Sequence, residues 1–391
     1  MNQKKRLVLN CLATCLAFAA AASACAQAAS YKIGLILPMT GPSASTGRQI
    51  EAAAKLYMAQ NGASIAGRKV ELIVKDDAGV ADTTRRLAQE LVVNDHVNVL
   101  AGFGLTPTAL ATAPIATQSK TPMVVMAAAT SSITEASPYI VRTSFTLPQV
   151  TLGIADWAPK NGIRKVVTLV TDYGPGIDAE KTFKERFTLG GGQVLDSLRV
   201  PLRTPDFAPF LQKVRDARPD AVFVFVPSGF GASFMKQFDE RGLRQAGIRL
   251  IATGDVLDDD QLNDIGDVAL GIVNSHHYSA AHDSPANKKF VAAFEAANKG
   301  MRPNFMAVGG YDGMHAIYHA LAESKGAGGD AVLAALKGQV FESPRGPVLI
   351  DAQTRDIVQD VYIRKVERIN GQLYNVEFET LKAVKDPGKA R

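Results

Sequence analysis

Residues 97–132 read VNVLAGFGLTPTALATAPIATQSKTPMVVMAAATSS, and this stretch decides the fold. Two apolar runs within it, Val97–Ala101 and Met123–Met126, are too short for helices and have the composition of buried parallel strands. The segment Pro107–Ser119 has the length of a crossover helix, and proline is favoured in the first turn of a helix. The stretch therefore predicts a strand–helix–strand unit of a parallel sheet.

Each of these predicted strands ends in a loop of small and hydroxyl-bearing residues, Gly102–Thr108 and Ala127–Ser132. Open α/β sheets bind small ligands at the carboxyl ends of their strands. Small side chains let backbone N–H groups approach a ligand, and hydroxyls add further donors. Small residues also pack well where helices meet sheets, so composition alone leaves both interpretations open.

The alternation of strands and helices extends in both directions from this stretch. A first strand at Tyr31–Pro38 ends in a Gly/Ser/Thr loop, and a second series of strands and helices begins near Pro148. Two such series predict an α/β protein with two doubly wound parallel-sheet lobes facing each other across a cleft. The predicted helices after residue 285 have no strands between them, which suits a cap on the first lobe.

The first 28 residues have the pattern of a secretory signal peptide. Lys4, Lys5 and Arg6 precede a mostly apolar run, Leu7–Ala22, and small-x-small cleavage sites follow. The sequence Ala-Ser-Ala-Cys ending at Cys25 weakly resembles a lipoprotein cleavage box. Because its first position is Ala rather than Leu, we expect release into the periplasm without a lipid anchor.

Removal of this leader changes the charge and the cysteine content. The leader carries three of the 43 basic residues and no acidic residue, which leaves 40 basic against 38 acidic side chains. All three cysteines lie in the leader, so the remaining chain is expected to have no disulfide. A balance this close to neutral does not indicate a nucleic-acid partner.

The sequence contains no recognisable catalytic or cofactor motif. The run Gly102–Pro107 begins like a dinucleotide fingerprint, but Pro107 occupies the third glycine position and no acidic residue ends the next strand. There is no G-x-S-x-G nucleophile elbow and no cysteine after residue 28. The sequence therefore predicts neither catalysis nor a bound cofactor.

Two clusters of possible metal ligands have simpler explanations. His276, His277 and His282 match no standard zinc spacing, and they are more typical of a polar strand end and loop. An alternative is that His277 or Tyr278 lines the cleft, since both follow a predicted strand. Asp258–Asp260 precedes a short helical segment, where acidic residues suit the helix dipole. No metal site is predicted.

Two charged residues could contact a ligand directly. Arg48 follows the first small-residue loop, where its guanidinium could pair with a carboxylate, although an exposed arginine at the start of a helix is equally consistent. Asp255 follows a strand of the second series, where its carboxylate could accept from an ammonium or hydroxyl group. An aspartate that forms a turn in Thr-Gly-Asp is the competing interpretation.

Several motifs together resemble one protein family. IGLILPMTGP at residues 33–42, KDD at 75–77, MAAAT at 126–130 and VRT at 141–143 are similar to periplasmic solute-binding proteins of branched-chain amino-acid-type ABC transporters. The resemblance implies a type I periplasmic binding fold, with a hinge of three segments near residues 147, 278 and 350. Lobe 1 is then expected to contain residues 29–147 and 279–350. Lobe 2 is expected to contain residues 148–278 and 351–391.

The resemblance also implies positions for ligand binding. In relatives, loops after the third and fourth strands hold the ligand carboxylate, an aromatic residue of a Tyr-Gly pair packs on the ligand, and an acidic residue receives an amino group. Together with the residues considered above, these positions form one candidate set. Its members are Thr46, Arg48, Phe103, Gly104, Leu105, Thr106, Ala128, Thr130, Tyr173, Phe230, Asp255, His277 and Tyr278.

This chain departs from the amino-acid binders at two of these positions. Thr46 stands where many of them have an aromatic residue, and Leu105 stands where they have a serine. The runs Gly-Phe-Gly-Leu-Thr-Pro-Thr and Ser-Thr-Gly-Arg-Gln look more like the branch that takes up aromatic carboxylates. We therefore expect a benzoate- or hydroxycinnamate-type ligand, with branched-chain or related aliphatic amino acids as the alternative.

The function implied is capture of a small carboxylate by lobe closure and its delivery to a membrane permease. We expect a monomer in the periplasm without cofactor, metal or nucleic acid. A secreted enzyme or a sensory receptor of the same fold has less support, because no catalytic motif and no attached signalling domain is found in this sequence.

Overall fold

The computed structural model describes residues 30–203 and 205–389. The predicted signal peptide, with Cys25, lies outside these residues. Within them, no helix is both long and apolar enough to cross a membrane.

The first sheet is built from the amino-terminal part of the chain, as the sequence predicts. Its strands are β1 Tyr31–Leu37, β2 Ser64–Ile65, β3 Arg68–Asp76, β4 Val99–Gly102, β5 Met123–Val125 and β6 Ile140–Arg142. The helices between them are α1 Ala44–Asn61, α2 Ala81–Val93 and α3 Thr106–Ser119. The strand order is β2-β3-β1-β4-β5-β6, and all pairings are parallel except that of the two-residue strand β2. Helices cover both faces of the sheet, so β1, β4 and β5 are almost wholly buried.

The second sheet repeats this pattern and then extends it. Its first strands are β7 Lys165–Thr171, β8 Gln193–Val200, β9 Ala221–Phe225, β10 Arg249–Thr253 and β11 Val273–His276. The accompanying helices are α4 Leu147–Lys160, α5 Gly174–Leu189, α6 Ala208–Ala217, α7 Gly231–Glu240 and α8 Leu262–Ile265. These five strands are parallel in the order β8-β7-β9-β10-β11.

Both sheets therefore contain the same doubly wound order, second-first-third-fourth-fifth. In such sheets the strand order reverses between the first and third strands, at the topological switch point. A crevice opens there at the carboxyl ends of the strands. The crevice lies between β1 and β4 in the first sheet and between β7 and β9 in the second. The predicted type I periplasmic binding fold, with two parallel-dominated sheets, is confirmed.

The carboxyl-terminal part of the chain contributes to both lobes. Helices α9 Pro285–Ala297, α10 Phe305–Ser324 and α11 Gly329–Leu336 lie in the first lobe, where α9 and α10 pack against α1. The remaining strands extend the second sheet by antiparallel pairing. They are β12 Val340–Ser343, β13 Gly346–Ile350, β14 Ile357–Ile369 and β15 Gln372–Val384.

Strands β12 and β13 extend the second sheet through their pairing with each other and with β14. The same segment also contacts the first lobe, because Gln339 Nε2 donates to the Ala316 carbonyl oxygen and Arg345 pairs with Asp312. Short strands at a sheet edge give little sequence signal of their own, because partner strands rather than local periodicity decide which sheet they join.

A long hairpin formed by β14 and β15 lies at the carboxyl-terminal end of the second sheet. Asn370 and Gly371 form its turn, both with positive φ, and Asn-Gly between two strands is a strong hairpin signal. Strand β15 is mostly exposed and rich in polar residues, which hides its strand character from an argument based on apolar runs.

Buried arginines join the segments that pass between the lobes. Arg142 Nε lies 2.8 Å from Asp356 Oδ1, and both side chains are almost wholly buried. Arg345 forms a similar ion pair with Asp312, and it donates to the carbonyl oxygens of Thr143 and Ser144. Because a buried charge that loses its partner is strongly destabilising, these pairs fix the crossing segments relative to each other.

Candidate ligand-binding site

A cavity lies between the lobes where the carboxyl ends of the two sheets face each other. Loops after β1, β4, β5, β7 and β9 contribute to it, which is the crevice position expected for a doubly wound sheet. The residues that line it are Ser43, Thr46, Gly104, Leu105, Thr106, Ala127, Ala128, Ala129, Phe145, Leu147, Tyr173, Pro175, Phe225, Pro227, Ser228, Asp255 and Met306.

The loop after β4 is held in an unusual backbone conformation. Gly102 has φ +105°, and a Cβ there would lie 2.3 Å from the Ile36 carbonyl oxygen, so only glycine fits. Phe103 follows with φ +66°, which is rare for an aromatic residue. Its backbone is fixed by hydrogen bonds to Ile36 and Ala128. This geometry turns the next residues, Gly104–Thr106, toward the cavity.

Two threonine hydroxyls meet beside the lobe 1 side of the cavity. Thr106 Oγ1 and Thr130 Oγ1 lie 2.8 Å apart, and both residues are buried. Thr106 opens helix α3 and Thr46 lies in the first turn of α1, so the amino termini of two helices point to the same region. Unpaired N–H groups and the helix dipoles favour a negative charge there. This side of the cavity has the chemistry to bind a carboxylate.

The middle of the cavity is apolar and aromatic. The rings of Tyr173 and Phe225 are stacked with centroids 6.1 Å apart and an angle of 18° between their planes. Phe145, from the first crossing segment, is 1% exposed and packs against His277 and Phe305. Burial, followed by the nearby Asp255 carboxylate, raises the pKa of Tyr173 well above 10, so its hydroxyl keeps its proton. Flat apolar surfaces of this kind suit an aromatic ring.

Asp255 is the one charged side chain among the described residues that line the cavity. It belongs to lobe 2 and is 3% exposed. Thr253 Oγ1 donates a 2.9 Å hydrogen bond to its Oδ2, and His276 Nε2 lies 3.4 Å from the same oxygen. The cavity thus combines an anion-binding side in lobe 1 with a carboxylate in lobe 2.

Several hydrogen bonds among the described residues join the lobes across the cleft. Ser45 Oγ donates to Asp260 Oδ2 at 2.5 Å, and the backbone N–H of Ser131 donates to Asp178 Oδ2 at 2.9 Å. Burial raises the pKa of both carboxyl groups. With these contacts formed, the volume open to the centre of a water-sized sphere is only about 20 Å³. A ligand of several heavy atoms can enter only when the lobes move apart.

A larger groove of about 820 Å³ lies elsewhere, beside Arg302, Gln372 and Tyr374. It is open to solvent, and its lining comes from the segments after β10 and β11, from α9 and from the β14–β15 hairpin rather than from the loops after β1, β4, β7 and β9, where the two crevices open. We therefore assign the candidate site to the smaller cavity between the lobes. The described residues contain no group of three or more His, Cys, Asp or Glu side chains arranged to hold a metal ion.

The sequence and the structure were then compared with known proteins. The family model described as periplasmic binding protein matches residues 30–372. The chain belongs to the periplasmic binding protein family.

Three relatives show the range within this family. A solute-binding protein of an ABC transporter from Rhodopseudomonas palustris BisB5, solved in complex with 3,4-dihydroxy benzoic acid, is 62% identical. Its alignment covers 92% of this chain and 99% of that one, with a TM-score of 0.90. A second from R. palustris, solved with 4-hydroxybenzoate, is 41% identical with the same coverages and TM-score. The Leu/Ile/Val-binding protein homolog 6 of Brucella abortus (strain 2308) is 45% identical, over 98% of this chain and 99% of the relative.

In this periplasmic binding protein, part of the predicted set lines the cavity. The residues in that part are Thr46, Gly104, Leu105, Thr106, Ala128, Tyr173 and Asp255. Thr130 contacts Thr106 directly, although it is not part of the lining itself. These residues come from five separate regions of the chain, and the facing sheet edges bring them together.

The structure places the other predicted residues outside the cavity lining. Arg48 is exposed because it lies on the outer side of α1. The Phe103 ring packs into the core of the first lobe, and Phe230 packs against the core of the second. His277 and Tyr278 are wholly buried behind the cavity, where His277 stacks on Phe145.

The structure also adds residues that the sequence argument did not single out. Phe145 and Leu147 follow β6, and Phe225 and Ser228 lie at the end of β9. Phe225 and Ser228 lie at the end of a strand beside the topological switch point, and this position is a sequence signal for a ligand-binding residue. Met306, in contrast, comes from the start of α10, and nothing local in the sequence indicates that this helix reaches the cleft.

Proposed function

We propose that this periplasmic binding protein captures a small aromatic carboxylate of the benzoate or hydroxycinnamate type and delivers it to an ABC transporter permease. The observation that carries the proposal is the lining of the cavity, which combines aromatic and aliphatic side chains with hydroxyl groups and one carboxylate. Two R. palustris proteins, 62% and 41% identical to this chain, were solved with 3,4-dihydroxy benzoic acid and 4-hydroxybenzoate.

The carboxylate of the ligand is placed at the lobe 1 side. A buried carboxylate needs hydrogen-bond donors in place of water, because its desolvation costs several kcal/mol. Thr106, Thr130 and the N–H groups at the starts of α1 and α3 supply donors there. Each hydrogen bond to a charged group contributes about 1.5–3 kcal/mol, so two or three offset this cost.

The ring of the ligand lies between the aromatic walls. Tyr173 and Phe225 from lobe 2 and Phe145 from the crossing segment surround the middle of the cavity. Since these residues come from different segments, an aromatic ligand between them draws the lobes together. Closure then forms the Ser45–Asp260 and Ser131–Asp178 contacts and gives the permease a surface that the open protein lacks.

Branched-chain or related aliphatic amino acids are the second candidate. The similarity to a Leu/Ile/Val-binding protein homolog favours them, and Asp255 could receive an ammonium group. We favour the aromatic acids, because Phe145, Tyr173 and Phe225 line the cavity and two relatives of this chain were solved with aromatic acids.

We further propose that the protein is a monomer, is released into the periplasm by cleavage of its leader and performs no chemistry on its ligand. A mass spectrum of ligand recovered from the protein tests the last point. Unchanged mass is expected after long incubation, and a new product would indicate an enzyme.

A thermal-shift panel of benzoates, hydroxycinnamates and aliphatic amino acids tests the ligand class. A ligand that binds only the folded protein raises Tm, and the rise grows with the ratio of ligand concentration to Kd. We expect shifts with the aromatic acids. Shifts with amino acids alone would contradict the proposal.

A further inference from the structure

Asp255 is a buried carboxylate that faces the cavity with one oxygen uncommitted. It is 3% exposed, and both contacts given to it by neighbouring side chains, from Thr253 and His276, are made at Oδ2. Among the described residues, no hydrogen bond to Oδ1 is found. Because Asp255 lines the cavity, this oxygen can accept a hydrogen bond from a ligand.

Among the described residues, no lysine or arginine forms an ion pair with Asp255. The buried guanidinium of Arg364 lies nearby, but its nitrogen atoms donate to Asn274 Oδ1 and to the Tyr278 carbonyl oxygen. His276 is wholly buried among Phe145, His277 and Phe305. Burial lowers the pKa of His276 to about 4, so its ring is neutral at physiological pH. The remaining acceptor capacity of Asp255 therefore faces the ligand.

The position of Asp255 specifies where the donor stands on the ligand. The hydroxyl pair and helix amino termini that suit a carboxylate belong to lobe 1, whereas Asp255 follows β10 in lobe 2. Phe145, Tyr173 and Phe225 line the same cavity. We propose that Asp255 accepts a hydrogen bond from a ring hydroxyl distal to the ligand carboxylate, so that the protein selects hydroxylated aromatic acids. This inference rests on the proposed function of the same cavity.

Matched ligands test the inference in the wild-type protein. Fluorine is close in size to a hydroxyl group but cannot donate, so 4-fluorobenzoate and 4-hydroxybenzoate differ mainly in this bond. We expect calorimetry to give 4-hydroxybenzoate a Kd roughly 10- to 100-fold lower than that of 4-fluorobenzoate. This ratio corresponds to the free energy of one hydrogen bond to a charged group. 2-Hydroxybenzoate should show no such gain over benzoate, because its hydroxyl lies beside the carboxylate.

Variants then assign the effect to Asp255. In Asp255→Asn the preference for 4-hydroxybenzoate over 4-fluorobenzoate should fall to within about threefold. Asp172→Asn is the control, because Asp172 lies in the loop after β7 but is exposed and outside the cavity lining. Its preference should equal that of the wild type, and circular dichroism checks that both variants are folded.

The outcomes separate this inference from the proposed function. Equal affinities of the wild type for 4-hydroxybenzoate and 4-fluorobenzoate would overturn the role of Asp255 while leaving aromatic carboxylate binding intact. This comparison does not depend on the folding of any variant. A preference that survives in Asp255→Asn would also overturn it. If no aromatic acid binds to the wild type, the proposed function fails and the inference fails with it.

Discussion

Ser45 Oγ donates a hydrogen bond of 2.5 Å to Asp260 Oδ2, and this bond joins the first turn of α1 in lobe 1 to a loop of lobe 2. Gln49 Nε2 lies 3.5 Å from the same oxygen. Burial raises the pKa of Asp260. The contact therefore exists only when the cleft is closed and contributes to the stability of that state.

Ser45→Ala should weaken ligand binding without touching the ligand. The lost hydrogen bond is worth about 1.5 kcal/mol, which corresponds to roughly a tenfold higher Kd. Calorimetry with 4-hydroxybenzoate measures this Kd. Small-angle scattering should show that a smaller fraction of Ser45→Ala molecules than of wild-type molecules is closed at the same ligand concentration. Ser119→Ala, which removes a hydroxyl bonded to a carbonyl of its own helix, is the control. Equal affinities of both variants would show that this contact does not stabilise closure.

Thr130→Val should weaken carboxylate binding by about tenfold and leave the fold intact. The substitution keeps the shape of the side chain but removes the hydroxyl that lies 2.8 Å from Thr106 Oγ1. The matched control is Thr117→Val, because Thr117 is exposed on α3, away from the cavity. An unchanged Kd in Thr130→Val, measured by calorimetry, would remove this hydroxyl from the carboxylate end.

Arg48→Ala should leave the Kd within about twofold of the wild-type value. Arg48 is exposed, and interactions of exposed charges are typically worth 0–1 kcal/mol. Titrations at low and high salt give a second measurement, since a guanidinium pairing with the ligand would make affinity depend on salt. A loss of tenfold or more would mean that Arg48 turns into the cleft when ligand is present.

His276 should make the protein less stable in mild acid. Burial lowers the pKa of His276 from 6.5 to about 4. Between these two pH values the imidazole is protonated in the unfolded chain and neutral in the folded chain. The free energy of unfolding therefore falls as the pH decreases from 6.5 toward 4. Between pH 7.5 and pH 5 this group alone accounts for about 2 kcal/mol.

Urea unfolding at pH 7.5 and pH 5 measures this contribution. The loss of stability should be smaller in His276→Gln than in the wild type, because glutamine does not titrate. The control is His319→Gln, since the side chain of His319 is 58% exposed. If wild type and His276→Gln lose the same free energy, another group is responsible.

Much of the fold was predictable because its signals are local. The strand–helix–strand unit of residues 97–132 has short apolar runs that end in small-residue loops, and β4, α3 and β5 lie there as expected. The same reasoning located the loop before Thr106 and the loop after β7, which contains Tyr173. Each lies at a strand end, and strand ends can be found from apolar runs alone.

The remaining features depend on tertiary structure. Phe103 does not line the cavity, because its backbone has a positive φ and its ring points into the core of the first lobe. Met306 reaches the cavity only because α10 packs against α1. Strand β12 joins the second sheet through its pairing with β13. None of these relationships leaves a periodic pattern in the sequence.

The central claim is that the cavity between the lobes binds an aromatic carboxylate. Calorimetric titration of ligand-stripped protein with 4-hydroxybenzoate, benzoate and leucine tests it most directly. Intrinsic fluorescence is less suitable, since the single tryptophan, Trp157, lies outside the cavity. We expect saturable binding of an aromatic acid at one molecule per chain and no binding of leucine. Saturable binding of leucine, with none of either aromatic acid, would contradict the claim.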